Sequence, residues 1–264
     1  MGNRLLDLEP QRFAQCLRDA GGRGYLLADA ESGRLSASCP ILAEVADLLA
    51  AGHPDYQRHE AIFFEVGAET GALFAVFLHQ SRRGQPQGGV RHWRFSSLEA
   101  FLCDGLRLSL GMSRKSALAG LWWGGGKGLI AQQEGPRWRD PGYRRSLYGE
   151  FGRFVTSLRG SFIAGEDAGT TPTDIAELYR HTRYASCVPC EVGGSGNPSD
   201  MTSAGVVCAM EAALEFRGLG TLEGKTIAMQ GTGNVGSFMI GRLFDKGVAR
   251  IMATDLSPER RDAL

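Results

Sequence analysis

Gly231-Thr232-Gly233-Asn234-Val235-Gly236 decides the reading of the fold because of what flanks it. Residues 225–230 before it carry a strand pattern, residues 234–245 after it have helical spacing, and residues 250–254 form a second β-rich run. A glycine loop between a strand and a helix, with another strand following, is a β-α-β unit. In such a unit the first glycine permits a tight turn and the second lets a phosphate approach the backbone. The third lets helix and strand pack closely, with the helix N-terminus facing the phosphates. Asp255 closes the second strand 19 residues after Gly236, where an acid can hydrogen-bond the ribose hydroxyls of a dinucleotide. The competing reading is an ordinary turn followed by a solvated acid. The β-α-β context and the acid in register favour dinucleotide binding through Gly231, Gly233, Asn234, Val235, Gly236 and Asp255. An acid at that place repels a 2′-phosphate, so NAD is preferred to NADP.

Working upstream, a helix is expected over residues 202–216, preceded by a loop over 188–199 rich in Gly, Ser, Asn and Pro. The domain boundary is placed near Pro198 to Asp200. Thr171-Pro172-Thr173-Asp174 is a helix start, with a cap, Pro at the first helical position and an acid two residues further on. That helix is expected to reach about Tyr184. Residues 161–164 read as a short strand, and a helix from Pro141 buries Leu147, Phe151, Phe154, Val155 and Leu158. Ser96 and Glu99 form a capping-box pair before an amphipathic helix over residues 97–111. Residues 61–66 and 72–78 form a hairpin pattern. Of the first sixty residues, 24–28 and 34–38 pair around the Glu31-Ser32-Gly33 turn, and 41–51 is helical in composition. No chemistry is evident there, and an accessory or oligomerising segment is expected.

Composition sets bounds. The 264 residues carry 29 Lys plus Arg against 29 Asp plus Glu, which gives no basic excess for a nucleic-acid partner. No apolar run reaches the roughly 18 residues needed to span a bilayer, and the first twenty residues resemble neither a signal nor a transit peptide. Six scattered cysteines point to a reduced, cytoplasmic compartment. Cys187-Val188-Pro189-Cys190 near His181 invites a zinc reading, but a single CxxC favours free thiols, and no metal is expected.

The chemistry-bearing candidates lie in the middle of the chain. Lys127 ends the run Gly124-Gly125-Gly126, where closure around the side chain would lower its pKa and make it a base. Taken alone, a surface lysine after a flexible turn is the better reading. Gly128 stands where a P-loop needs Ser or Thr, so this is not a P-loop. Lys115 follows the helix ending near Gly111. Asp167 precedes the Thr171 helix, with Glu166 as a competing acid.

Taken in order, Gly88-Gly89-Val90-Arg91, Gly111-Met112 through Lys115, Gly124 through Lys127, Glu166-Asp167-Ala168-Gly169-Thr170-Thr171 and Gly196-Asn197-Pro198-Ser199 precede the glycine loop. This series resembles the glutamate, leucine, phenylalanine and valine dehydrogenase family, and most closely its leucine and phenylalanine branch, from about Gly67 onward. The resemblance implies that Lys115 holds the α-carboxylate of an L-amino acid and that Gly88 and Gly89 allow its close approach. It implies Lys127 as the base that activates water and Asp167 as the group that exchanges protons with the amine. Asn197 and Thr202 would line the nicotinamide end of an NAD site. The products would be a 2-oxo acid and ammonium, and the assembly a homo-oligomer. Relatives that use glutamate carry a lysine just before the glycine pair. Gln87 stands there and would leave a second carboxylate unpaired, so an apolar or aromatic amino acid is expected. Trp122 and Trp123 either shape the pocket or fill core.

The fold expected is α/β in two lobes with the active site in the cleft between them. Residues 1–60 form an N-terminal extension, 61–199 the substrate and catalytic domain, and 200–264 the start of a Rossmann-type domain. Only the first β-α-β unit of that domain is present, against the about five or six strands of a complete one. The competing functional reading is a truncated, non-catalytic dinucleotide-binding or oligomerising paralogue.

Overall fold

The structure is a computed structural model that describes residues 5–262. The chain divides into two compact units, one ending at Gly196 and the other beginning at Asn197. Both are α/β, and each is described by itself.

The first unit contains seven strands: β1 (Arg23–Ala28), β2 (Leu35–Ala37), β3 (Ala61–Val66), β4 (Leu73–Gln80), β5 (Pro86–Trp93), β6 (Gly124–Ala131) and β7 (Ile163–Glu166). Its helices of two turns or more are α1 (Pro10–Asp19), α2 (Pro40–Ala50), α3 (Leu98–Leu118), α4 (Pro141–Ser157) and α5 (Pro172–Tyr179). The strands form one mixed sheet in the order β2-β1-β3-β4-β6-β5-β7. β1 through β4 and β6 pair antiparallel, whereas β5 runs parallel to both β6 and β7. Residues before Ala61 are thus continuous with this sheet through the β1–β3 ladder.

Alternation along the strands divides the core into two layers. Phe77, Leu129 and Ala131 face α1, α2 and α3, packing with Phe13, Leu17, Leu42, Phe101 and Leu106. Phe74, Val76, Val90 and Ile130 face α4 and α5, packing with Leu147, Phe151, Phe154, Val155 and Leu178. The expected α4 core residues are all buried.

Several boundaries differ from expectation. The N-cap of α3 is Ser97, whose hydroxyl accepts from the Ala100 N–H, and not Ser96. The helix continues through Gly111 to Leu118, with Gly105 close against Phe77 of β4 and the Ser109 carbonyl close against Gly125 of β6. Lys115 therefore sits in the last turn of α3 rather than after it. The α5 capping box between Thr171 and Asp174 is present, but the helix ends at Tyr179, well before Tyr184. The Gly124–Gly126 run is no flexible turn; it opens β6, which is buried along its whole length.

The second unit contains α6 (Ser199–Phe216), β8 (Thr226–Gln230), α7 (Asn234–Asp245), β9 (Arg250–Thr254) and α8 (Pro258–Asp262). β8 and β9 pair in parallel from Thr226↔Arg250 to Gln230↔Thr254. Val207, Leu222, Leu243 and Val248 form their own small core. Among the described residues, no helix is long and apolar enough to cross a membrane.

Candidate active site

The period of two places the reactive groups on one face of the first unit's sheet. On β5, Gln87, Gly89 and Arg91 are partly accessible, whereas Pro86, Gly88, Val90 and His92 are buried on the other side. On β6, a Cβ at Gly125 would lie 2.3 Å from the Ser109 carbonyl oxygen of α3, and one at Gly126 would lie 2.7 Å from the Phe162 ring. Lys127 therefore projects on the α3 side, between Gly125 and Leu129. Glu166 ends β7 opposite Val90, which puts Asp167 next along the chain beside Arg91.

Lys127 is buried, with 4% of its surface exposed. Its Nζ donates to Oδ2 of Asp167 at 2.6 Å. Arg91 Nε donates to the same oxygen at 2.9 Å, while its Nη1 reaches both oxygens of Asp104 at 3.1 and 3.0 Å. Burial pulls the Lys127 ammonium below the usual lysine range; Asp167 opposes this and Arg91 adds to it, leaving the net direction down. For Asp167 burial pushes upward, but Lys127 and Arg91 outweigh it and the carboxyl is held below its ordinary value. Lys127 and Asp167 form a salt bridge whose carboxylate is only partly shielded from water. Its second carboxylate oxygen, Oδ1, is not used by either cation.

Glu166, the competing acid, does not meet Lys127. Its Oε2 is buried with no partner, and burial raises its pKa. Gly89 lies on the Lys127 face, where an added Cβ would sit 2.6 Å from the Cβ of Asp167. Gly88 lies on the opposite side of the strand and is demanded by the neighbouring backbone, 1.8 Å from the Gly126 oxygen for an added Cβ. Lys115 is exposed. Gln87 donates from Nε2 to Ser186 Oγ at 3.1 Å, and Ser186 Oγ donates to the Ala164 carbonyl. Trp122 is 78% exposed beneath the Arg83 guanidinium, so it does not fill core. Cys187 and Cys190 are both free thiols, half-buried and exposed respectively.

Sequence reasoning assigned no role to Arg91 and passed over Asp104. For Arg91 the signal was available, since Gln87, Gly89 and Arg91 alternate on one strand face. For Asp104 it was not, because an acid on an amphipathic helix reads as a side chain that simply faces water.

In the second unit, Gly231 has φ +92° and Gly236 packs so that a Cβ would lie 2.3 Å from the Gly231 oxygen. The N-cap of α7 is Gly233, with no side-chain cap, so the first N–H groups of the helix have no side chain to satisfy them. These residues fit a dinucleotide pyrophosphate. Asp255 accepts from the Thr232 N–H at 2.8 Å through Oδ2 and from the Ser257 N–H at 2.9 Å through Oδ1. Those backbone donors, Ser257 first, hold its carboxyl below the usual range. It ties the glycine loop to the end of β9, and Arg260 lies 3.8 Å away. An open depression of about 730 Å³ is lined by Gly231, Asp255, Ser257 and Arg260 among others. Asn197 Oδ1 accepts from the Ser199 N–H at the start of α6, and Thr202 is exposed in that helix's first turn.

The chain is similar to known proteins. Residues 68–184 match the family model for the Glu/Leu/Phe/Val dehydrogenase dimerisation domain, and residues 193–257 match that for Glutamate/Leucine/Phenylalanine/Valine dehydrogenase. Leucine dehydrogenase of Geobacillus stearothermophilus is 39% identical over 76% of this chain and 53% of its own. Phenylalanine dehydrogenase of Caldalkalibacillus thermarum is 36% identical over 76% and 53%. The crystal structure of L-tryptophan dehydrogenase from Nostoc punctiforme aligns with a TM-score of 0.55 at 31% identity, covering 78% of this chain and 56% of that one. The chain belongs to the glutamate/leucine/phenylalanine/valine dehydrogenase family, on its leucine and phenylalanine side. It spans about half the length of the curated relatives it matches.

Proposed function

We propose that this chain carries the substrate-binding and proton-handling machinery of an NAD-dependent dehydrogenase that oxidatively deaminates an apolar or aromatic L-amino acid. The observation that carries the reading is the buried Lys127 ammonium held 2.6 Å from Asp167 beside Gly89. A lysine whose pKa is lowered by burial can give up its proton near the working pH and serve as a general base.

In this reading Lys115, in the last turn of α3, holds the α-carboxylate by charge. The nicotinamide of a bound NAD supplies the acceptor for the hydride leaving the substrate α-carbon. Asp167 takes the amine proton through Oδ1, the oxygen that Lys127 and Arg91 leave free. Neutral Lys127 then takes a proton from water as its oxygen adds to the imine carbon. Asp167 returns a proton to the departing nitrogen, the C–N bond breaks, and the released ammonia takes up the hydroxyl proton to leave as ammonium, so that the carbon is left as a 2-oxo acid. Gly231 to Gly236 would hold the pyrophosphate, Asp255 the adenosine ribose, and Asn197 and Thr202 the nicotinamide end.

Substrate choice follows from Gln87. Its amide is neutral and already engaged with Ser186, so it offers no cation to a second carboxylate. The leucine, phenylalanine and tryptophan dehydrogenases among the relatives support an uncharged side chain. A homo-oligomer built through the first unit is part of the same proposal.

The test is NADH formation at alkaline pH with a panel of L-amino acids, for the chain and for Lys127→Ala. Activity on leucine, valine, phenylalanine or tryptophan that the variant lacks supports the dehydrogenase. A folded chain that turns over none of them supports the non-catalytic paralogue instead, a dinucleotide-binding one if it takes up NADH and an oligomerising one if it does not.

A further inference from the structure

On another part of the first unit, the loop after α2 and the middle of α3 bring together three side chains of metal-ligating type. One ligand atom from each of His53, Asp55 and Cys103 lies within 4.8 Å of the others, and all three residues are half-buried. His53 Nε2 is 3.6 Å from Cys103 Sγ. That separation equals the edge of a tetrahedron whose nitrogen and sulfur ligands lie about 2.0 and 2.3 Å from a central zinc.

The carboxylate of Asp55 is only half satisfied by its surroundings. Asp55 Oδ1 accepts from Arg107 Nε at 2.8 Å, but Oδ2 is buried with no partner. A buried carboxylate oxygen without a donor is destabilising unless something positive meets it.

We propose that His53, Asp55 and Cys103 form a zinc site, with Nε2, Oδ2 and the thiolate as ligands and water in the fourth position. Thiolate with imidazole selects zinc over magnesium or calcium, which prefer all-oxygen sites. Binding releases the Cys103 proton to solvent. His53 Nδ1 accepts the Asp55 N–H at 3.2 Å, which assigns the ring proton to Nε2. Zinc at Nε2 moves that proton to Nδ1 and gives up this long bond. The two ligating segments are 50 residues apart, too far for the motif to be read from spacing. A bound ion clamps the α2–β3 loop onto α3, the helix that carries Asp104 and Lys115. The site is independent of the dehydrogenase reading.

The experiment is a cobalt(II) titration of the full chain, stripped of metal and kept reduced. The expected result is a thiolate-to-cobalt charge-transfer band saturating at one equivalent and displaced by zinc. It should disappear in Cys103→Ser and survive in the double variant Cys187→Ser, Cys190→Ser. Asp55→Asn should fold and weaken cobalt binding at least tenfold, which keeps the test decisive if Cys103→Ser does not fold. No band, a band unchanged by Asp55→Asn, or a band lost only with Cys187 and Cys190 overturns the proposal.

Discussion

Gly89 and Asp167 meet so closely that the glycine leaves no room for even a methyl group. An added Cβ would lie 2.6 Å from the Asp167 Cβ and 2.7 Å from the Glu166 carbonyl oxygen. The glycine thus positions the carboxylate by its absence of side chain. Gly89→Ala must push β7 away from β5 and carry Asp167 from Lys127. The expected cost is about 1–3 kcal/mol of stability, typical of overpacking, together with a larger loss of kcat than that strain alone predicts. Urea unfolding and single-turnover rates on the same preparation check both. Unchanged kcat would mean that Asp167 need not sit where it does.

Lys127 links pH to stability and, in the proposed reaction, to rate. Its folded pKa lies below the unfolded value of 10.5, so between the two the unfolded chain binds the extra proton. Stability therefore rises with pH through that window and is level below it. Lys127→Met should abolish this rise in urea midpoint. For the proposed reaction, kcat/KM should climb with pH as Lys127 loses its proton. Asp167 is the main group holding that proton on, so Asp167→Asn should shift the climb toward acid. It should also lower kcat by about 10²–10⁴-fold through loss of the proton exchange. A limb that stays in place would remove Lys127 as the titrating base.

Arg91 and Asp104 act on the same group with opposite signs. Arg91 lowers the Lys127 pKa and Asp104 raises it. Arg91→Gln should therefore move the rising limb toward alkaline pH, and Asp104→Asn toward acid. Arg91→Lys retains the charge but cannot bridge Asp167 and Asp104 at once, so it should lower kcat more than it changes KM. A purely structural role for Arg91 would reduce the amount of folded protein and leave the pH profile where it is.

The glycine-loop unit was legible because its signal is local: strand, loop and helix are contiguous, and α7 and β9 fall on residues 234–245 and 250–254 as read. The Thr171–Asp174 cap was legible for the same reason. What escaped was set by contacts between segments distant in sequence. Gly124–Gly126 reads as a turn until α3 and Phe162 are seen to require glycines in a buried strand. Gly88 and Gly89 read alike, yet one serves the β6 backbone and the other Asp167. Lys127 and Asp167 were named as candidates, but the shared oxygen with Arg91, and Asp104 behind it, depend on three strands and a helix meeting.

Asp255 offers a last test, because the carboxylate proposed to meet the ribose also holds the glycine loop. A ribose-binding acid alone would, when removed, weaken NADH binding and improve NADPH binding, since a 2′-phosphate would no longer be repelled. In this chain both carboxylate oxygens already accept backbone N–H groups, from Thr232 in the glycine loop and from Ser257 beyond β9. Removing them loosens the loop that, in the proposed function, would meet the pyrophosphate shared by both cofactors. Asp255→Ala should therefore weaken NADH by roughly tenfold, the scale of one charge-assisted hydrogen bond, without a matching gain for NADPH. Arg260, 3.8 Å from the same carboxylate, is the natural partner for a 2′-phosphate once the acid is gone. If fluorescence titration shows NADPH gaining what NADH loses, the loop-holding bonds carry no weight and Asp255 acts only on the ribose. If both cofactors weaken together, and Arg260→Ala changes neither, the carboxylate holds the loop and its effect on cofactor choice is secondary.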